Sequence, residues 1–172
     1  MRKLLGGLTL GLSLLAGTAQ ADVTRLYYGI GIADGTVEYD EEGTEEEKRL
    51  GTLNATLGLQ LLDFIGLELE VGAASDQMDS LFSEPLVQYQ AAMLKLGFRW
   101  DRVALYALGG RARFELDDEL GETGEDSYPV VGGGINLFGN ETTSLNLHVL
   151  SFDEGAFTTA TVGFQHYFGG FR

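Results

Sequence analysis

From Leu26 onward the chain alternates large apolar residues with small or polar ones at a period of two, segment after segment. Such alternation limits it to strands with two unlike faces. The clearest segment sets Ile65, Leu67, Leu69, Val71 and Ala73 against Gly66, Glu68, Glu70, Gly72 and Ala74. Two earlier segments repeat the grammar, Leu26, Tyr28, Ile30 and Ile32 against Tyr27, Gly29, Gly31 and Ala33, then Leu53, Ala55, Leu57, Leu59 and Leu61 against Asn54, Thr56, Gly58 and Gln60. Five more follow, near 87–100, 103–116, 128–138, 144–152 and 157–168. They place Leu94, Leu96, Phe98 and Trp100 against Lys95, Gly97 and Arg99, and Tyr106, Leu108 and Ala112 against Gly109, Arg111, Arg113 and Glu115. Eight strands are predicted, in one domain.

The connections alternate too. Short links are expected at 62–64, 100–102 and 139–143, and longer polar ones at 34–48, 75–86, 117–127 and 152–156. The longer links hold most of the acid: Asp and Glu number eight, three, six and two in them, 19 of the chain's 26. A water-soluble sandwich spreads its charge over its outer strand faces. Charge gathered in one set of loops, with strand faces of Gly, Ala, Ser, Thr and Gln, reads instead as an all-β, eight-stranded antiparallel up-and-down transmembrane barrel. Its acidic loops would lie outside the cell. Phe98, Trp100, Phe138 and Phe168 near one set of strand ends, and Phe114, Tyr128 and Phe157 near the other, are expected to form the interfacial girdles. The competing reading is a soluble, lipocalin-like binding barrel, with the aliphatic face turned inward and the Gly, Glu and Arg face outward.

The first 21 residues have a different grammar. Met1-Arg2-Lys3, the apolar run Leu4 to Gly17 and the ending Ala19-Gln20-Ala21 have the three parts of a secretory signal peptide. The run is too short to span a bilayer as a helix. Cleavage after Ala21 would leave residues 22–172 as the barrel domain. There is no cysteine, so disulfides and thiolate metal sites are unavailable. A net charge of −15 argues against nucleic acid, which requires a basic face.

Inside a narrow barrel, isolated charges are costly and a mixed network is tolerable. The expected network is Glu68, Glu70 and Glu115 with Lys95, Arg111 and Arg113. Eight strands enclose only enough room for side chains, so bulk solute flow is not expected. Asp40-Glu41-Glu42-Gly43-Thr44-Glu45-Glu46-Glu47 and Asp117-Asp118-Glu119 could attract divalent cations through hard oxygen ligands. Neither run has EF-hand spacing, so no defined metal site and no cofactor are expected. Lys48 and Arg49, at the rim of the second strand, are the candidates for contacting lipopolysaccharide phosphates. Gly132-Gly133-Gly134 lacks the Lys-Ser/Thr of a phosphate loop and reads as a stretch allowing close strand packing.

With Thr161-Val162-Gly163-Phe164-Gln165-His166-Tyr167-Phe168 in view, the chain resembles the small eight-stranded outer membrane β-barrel family typified by OmpA and OmpX. Gly66–Gly72 and Tyr106-Ala107-Leu108-Gly109-Gly110 resemble strands of that family as well. The resemblance implies a cell outer membrane location in a Gram-negative envelope and a structural or surface-interaction role. Val162, Phe164 and Phe168 match the terminal strand that the barrel assembly machinery reads, while His166 and the extension Gly169–Arg172 depart from it. The implied partners are outer membrane lipids and lipopolysaccharide, and the expected state is a monomer. An enzyme is not expected. The nearest enzymatic alternative, a lipid A deacylase, uses a His and a Ser two residues apart, whereas His148 and Ser151 are three apart and fall on opposite strand faces.

Overall fold

The computed structural model describes residues 25–41, 44–62, 64–76, 86–116 and 127–168, with the backbone alone at 38–41, 44–47, 114–116 and 154. Eight strands run β1 Arg25–Glu41, β2 Thr44–Leu62, β3 Ile65–Ser75, β4 Val87–Trp100, β5 Val103–Leu116, β6 Tyr128–Phe138, β7 Thr143–Phe152 and β8 Phe157–Phe168. Each pairs antiparallel with its neighbours, and β1 with β8 closes the barrel. Closure removes the free sheet edges along the span where all eight strands pair. A single 3₁₀ turn, Asp153–Gly155, links β7 to β8.

The inner and outer faces decide what solvent this barrel suits. Glu68 and Glu70 are 1% and 0% exposed, while Leu67 and Leu69 between them are 49% and 54% exposed. Ile30, Ile32, Leu57, Val71, Leu94, Leu96, Phe98, Leu105, Val131, Val149, Val162 and Phe164 carry this exposed apolar surface around the barrel. On β4 the outward apolar positions run from Trp100 to Ala92. At about 3.3 Å per residue and a tilt of about 40°, that band is roughly 20–25 Å tall, the height of a bilayer-matching belt. The lipocalin-like reading required the reverse polarity, and the buried glutamates exclude it. Among the described residues no helix is long and apolar enough to cross a membrane; strands do the crossing.

Two-residue turns fix the phase of neighbouring strands. Trp100 and Val103 face each other across Asp101-Arg102, with Asp101 in a left-handed conformation at φ 54°. Asp tolerates that conformation better than most residues do. The first long link differs from its expectation as a loop over 34–48. β1 and β2 stay paired from Asp34↔Gly51 up to Glu41↔Thr44. Antiparallel backbone pairing continues there beyond the last pairs that β1 makes with β8 and β2 makes with β3.

Inward glycines admit the largest rings. Gly58 lies opposite Tyr27 and Gly72 opposite Tyr89 in the register. A Cβ on either glycine would overlap the facing tyrosine ring. The Gly132–Gly134 run acts in the same sense, since a Cβ on Gly134 would strike the Leu147 carbonyl and the His148 Cβ.

Candidate functional site

The lumen is filled in three layers. Near the long-loop end, Tyr89, Phe152 and Phe157 form an aromatic triangle with ring centroids 5.0, 5.3 and 5.8 Å apart. Leu50, Val37, Val87, Val130 and Leu150 pack around it, almost fully buried. Near the short-turn end, Tyr27 stacks on Tyr167 at 4.8 Å and Phe138 lies 5.5 Å from the same ring. The Arg99 guanidinium sits 4.0 Å over Phe138. Beside this layer a cavity of about 40 Å³ touches Arg25, Gln60, Arg99, Asn136 and Tyr167. It has room for a water or two, not for a solute path.

Between these layers lies the polar one, built by alternating inward positions of all eight strands. Lys95 Nζ is 2.9 Å from Glu68 Oε2, donates to the Tyr27 hydroxyl at 3.2 Å, and lies 4.1 Å over the Tyr106 ring. Tyr27 donates its own proton to Glu68 Oε2 at 2.5 Å. Glu70 accepts from Tyr89 at 2.8 Å and from Asn54 and Thr56 at 3.3 Å each. His148 Nε2 lies 3.4 Å from Glu70 Oε2 without hydrogen-bond alignment, while its Nδ1 is 2.6 Å from Asn146. Asn146, Asn136, Gln165, Tyr106 and Tyr167 continue the chain of amide and hydroxyl bonds. A buried carboxylate is tolerable only with such partners. Glu70 has three hydrogen-bond donors; Glu68 has two, both on Oε2, while its Oε1 has no hydrogen-bond partner among the described residues.

Of the expected lumen network, Glu68, Glu70 and Lys95 meet inside. Arg111 and Arg113 do not: both are exposed on the outer wall. The reason is the phase of β5. Both of its faces are half apolar, Val103, Leu105 and Ala107 on one and Ala104, Tyr106 and Leu108 on the other, so its own alternation does not choose between them. The Asp101-Arg102 turn chooses. Trp100 points outward, Val103 opposite it must do the same, and every second residue to Arg113 follows. Trp100-Asp101-Arg102-Val103 was the sequence signal for this inversion. Glu115 keeps its backbone register opposite Gln88, and its side chain lies outside the described residues.

Lys48 and Arg49 point to opposite sides, as adjacent strand residues must. Lys48 pairs with Asp76 at 3.5 Å, across from inward-facing Val37. Only Arg49 belongs to the outer wall, 4.0 Å from Asp34 with both side chains largely exposed. The girdle also needs correction, because Phe138 and Phe157 are buried in the lumen while Phe98, Trp100 and Phe168 face out. Phe64 and Tyr28 are large aromatics on the outer wall that sequence reasoning did not assign to the girdle. The hydroxyl and amide partners Tyr27, Tyr89, Asn54, Asn136 and Gln165 were missed as network members, since only formal charges were followed.

His148 is inward and 4% exposed, whereas Ser151 lies on the other face of β7. Among the described residues, no group of three or more His, Cys, Asp or Glu could hold a metal ion. Of the expected acidic run at 40–47, Asp40, Glu41 and Thr44–Glu47 have their backbone in the paired ribbon; Glu42 and Gly43, the run at 117–119 and the segment before Arg25 lie outside the described residues.

A closed eight-stranded barrel with an apolar wall and a polar, filled lumen is a membrane-spanning barrel by construction. The chain belongs to the outer membrane protein β-barrel domain family, whose profile matches residues 7–168. Solved structures with the same fold include the attachment invasion locus protein Ail of Yersinia pestis. It is 17% identical with a TM-score of 0.55, over 85% of this chain and 99% of that one. The N-terminal barrel of Pseudomonas aeruginosa OprF is 14% identical with a TM-score of 0.59, over 83% and 97%. Neisserial surface protein A is 11% identical with a TM-score of 0.57, over 83% and 97%. Identities this low speak for the fold alone. No curated protein sequence matches the chain.

Proposed function

We propose that the protein is an integral, non-catalytic outer membrane protein of a Gram-negative envelope, exported by its N-terminal segment and inserted by the barrel assembly machinery. Its role is structural or surface-interacting, and it acts as a monomer. The observation that carries this reading is the polarity of the barrel, with Glu68, Glu70 and Lys95 sealed inside a belt of exposed aliphatics. The aromatic triangle and the buried Lys95–Glu68 pair fill much of the interior among the described residues, which supports a barrel that does not conduct bulk solutes. The opposed faces of His148 and Ser151 support a non-enzymatic role over deacylation. On β8, Val162, Phe164 and Phe168 present outward, in line with recognition of the terminal strand.

The surface role rests on the β1–β2 ribbon. Its register sets Glu38 opposite Glu47 and Asp40 opposite Glu45. Like charges across a strand pair repel, so this ribbon favours divalent cations or a basic partner outside the cell. Arg49 is the part of the rim facing lipopolysaccharide. Fractionation of cells expressing the full chain, followed by gel migration before and after boiling, tests the address. Recovery from the outer membrane with a heat-dependent shift in mobility is expected; recovery as a soluble periplasmic protein overturns the proposal.

A further inference from the structure

We propose that Arg111 and Arg113, with Gln88 and Gln90 beside them, form a binding site on the outer wall for a phosphorylated glycolipid of the outer leaflet. This rests on the outer membrane reading above and gives the lipid a second place on the wall, apart from Arg49, that the reading does not. Going up the wall from the short turns, β4 presents Trp100, Phe98, Leu96, Leu94 and Ala92 and then changes to Gln90 and Gln88. On β5 the outward series Val103, Leu105, Ala107 and Gly109 changes to Arg111 and Arg113. The two changes fall side by side, since Ala92 pairs with Arg111 and Gln90 with Arg113. All four polar side chains are exposed.

Height identifies what they meet. From Val103 to Arg113 is about 25 Å along the membrane normal for tilted strands, the thickness of the apolar belt. Two cations at its upper edge stand at the level of lipid phosphates on the long-loop side. Arg111 is also held in place. Its Nη2 donates to the Ser127 carbonyl at 2.5 Å and the Ser127 hydroxyl at 3.0 Å, and its Nε donates to that hydroxyl at 3.1 Å. Those bonds draw the guanidinium upward and leave Nη1 with no acceptor among the described residues. A guanidinium fixed in this way offers its Nη1 donors to an anionic oxygen such as that of a phosphate. Arg49 differs, because Asp34 already lies beside it. Glu115 is the next register position above Arg113, nearer the loops.

The test uses the full chain folded into phosphatidylcholine vesicles with and without bisphosphorylated lipid A, reading the temperature at which the heat-modifiable form is lost. Lipid A is expected to raise that temperature for the unaltered protein. R111Q/R113Q loses most of the increment, with apparent lipid affinity weakened roughly tenfold for the loss of one charge-assisted contact. R113Q alone, which leaves the Ser127 tether intact, repeats the effect in part should the double variant fold poorly. An equal increment in the altered and unaltered proteins overturns the site. So does an equal rise with phosphatidylglycerol or with dephosphorylated lipid A, which assigns the effect to any anion or to the acyl chains. A protein that inserts and is heat-modifiable but gains nothing from lipid A overturns the site and leaves the membrane barrel standing. Failure to insert into any vesicle overturns both.

Discussion

At the scale of single residues the lumen separates two kinds of constraint, charge pairing and space. Lys95 and Glu68 have side chains 6% and 0% exposed, so neither charge is screened by bulk water. Removing one partner of such a pair costs about 3–5 kcal/mol, while replacing both with apolar groups of similar volume can be near neutral. Lys95→Met is therefore expected to destabilise the barrel in urea titrations in vesicles by about that amount, and Lys95→Met with Glu68→Leu to recover most of it. A double variant no more stable than the single one would show that the pair is not what holds Glu68. The spatial constraint is tested on β2. Gly58→Ala drives a methyl into the Tyr27 ring and should cost about 1–3 kcal/mol. Gly51→Ala on the outward face meets only the Ser75 carbonyl at 3.7 Å, an ordinary contact, and should change stability by less than about 0.5 kcal/mol. Unequal losses in that order, by the same titration, support the ring-and-glycine pairing. Equal losses contradict it.

At the scale of strands the decisive quantity is phase, which residue parity points in. The chain has no cysteine, so single cysteines report phase cleanly. Arg113→Cys should react with a water-soluble maleimide in the folded, vesicle-inserted protein, and Leu108→Cys should be protected until unfolding. The reverse order of reactivity would restore the arginines to the lumen. Strands β1, β2, β3, β7 and β8 were legible directly, because one face of each is large and apolar and the other mostly small or polar; β4 was legible only from Ala92 to Trp100, since Val87, Tyr89 and Met93 make its inner face apolar as well. β3 was plainest, with Glu68 and Glu70 on one side of Leu67, Leu69 and Val71. β5 was not, since tyrosine and leucine on its inner face outweigh leucine, alanine and glycine on its outer one. Burial there serves side-chain packing in the lumen, not lipid contact, and hydrophobicity alone does not distinguish the two. The same ambiguity hid Phe138 and Phe157, which fill the lumen as aromatic core. The ribbon above Val37 was unreadable for another reason: an acidic sequence suggests a loop, yet the backbone hydrogen bonds of a hairpin do not depend on which side chains it carries.

For the whole molecule, closure and charge belong to different parts of the chain. β8 pairs with β1 only as far as Val37↔Phe157, and β3 pairs with β2 only as far as Gly51↔Ser75. Above those points, among the described residues, the backbone of the ribbon, Glu38–Glu41 and Thr44–Glu47, pairs within itself and with no other strand. That pairing takes no part in closing the barrel. The folding free energy of the barrel should then be independent of it, while the anionic surface should depend on it strongly. Replacing Tyr39–Glu46 by Asn-Gly, a pair suited to a two-residue hairpin turn, joins Glu38 to Glu47 and removes Asp40, Glu41, Glu42, Glu45 and Glu46. The shortened protein is expected to keep its heat-modifiable migration and to unfold in vesicles within about 0.5 kcal/mol of the full chain. Its electrostatic attraction to a polycation such as polylysine, measured at low salt where screening is weakest, should fall sharply. Loss of barrel stability on shortening would mean that the ribbon supports the fold. Unchanged polycation binding would move the anionic surface to the other long links. The expected pair of results, stability kept and polycation binding lost, would separate two properties that the register keeps apart: a barrel stabilised by its filled lumen and lipid-facing wall, and a charged extension free to vary without cost to it.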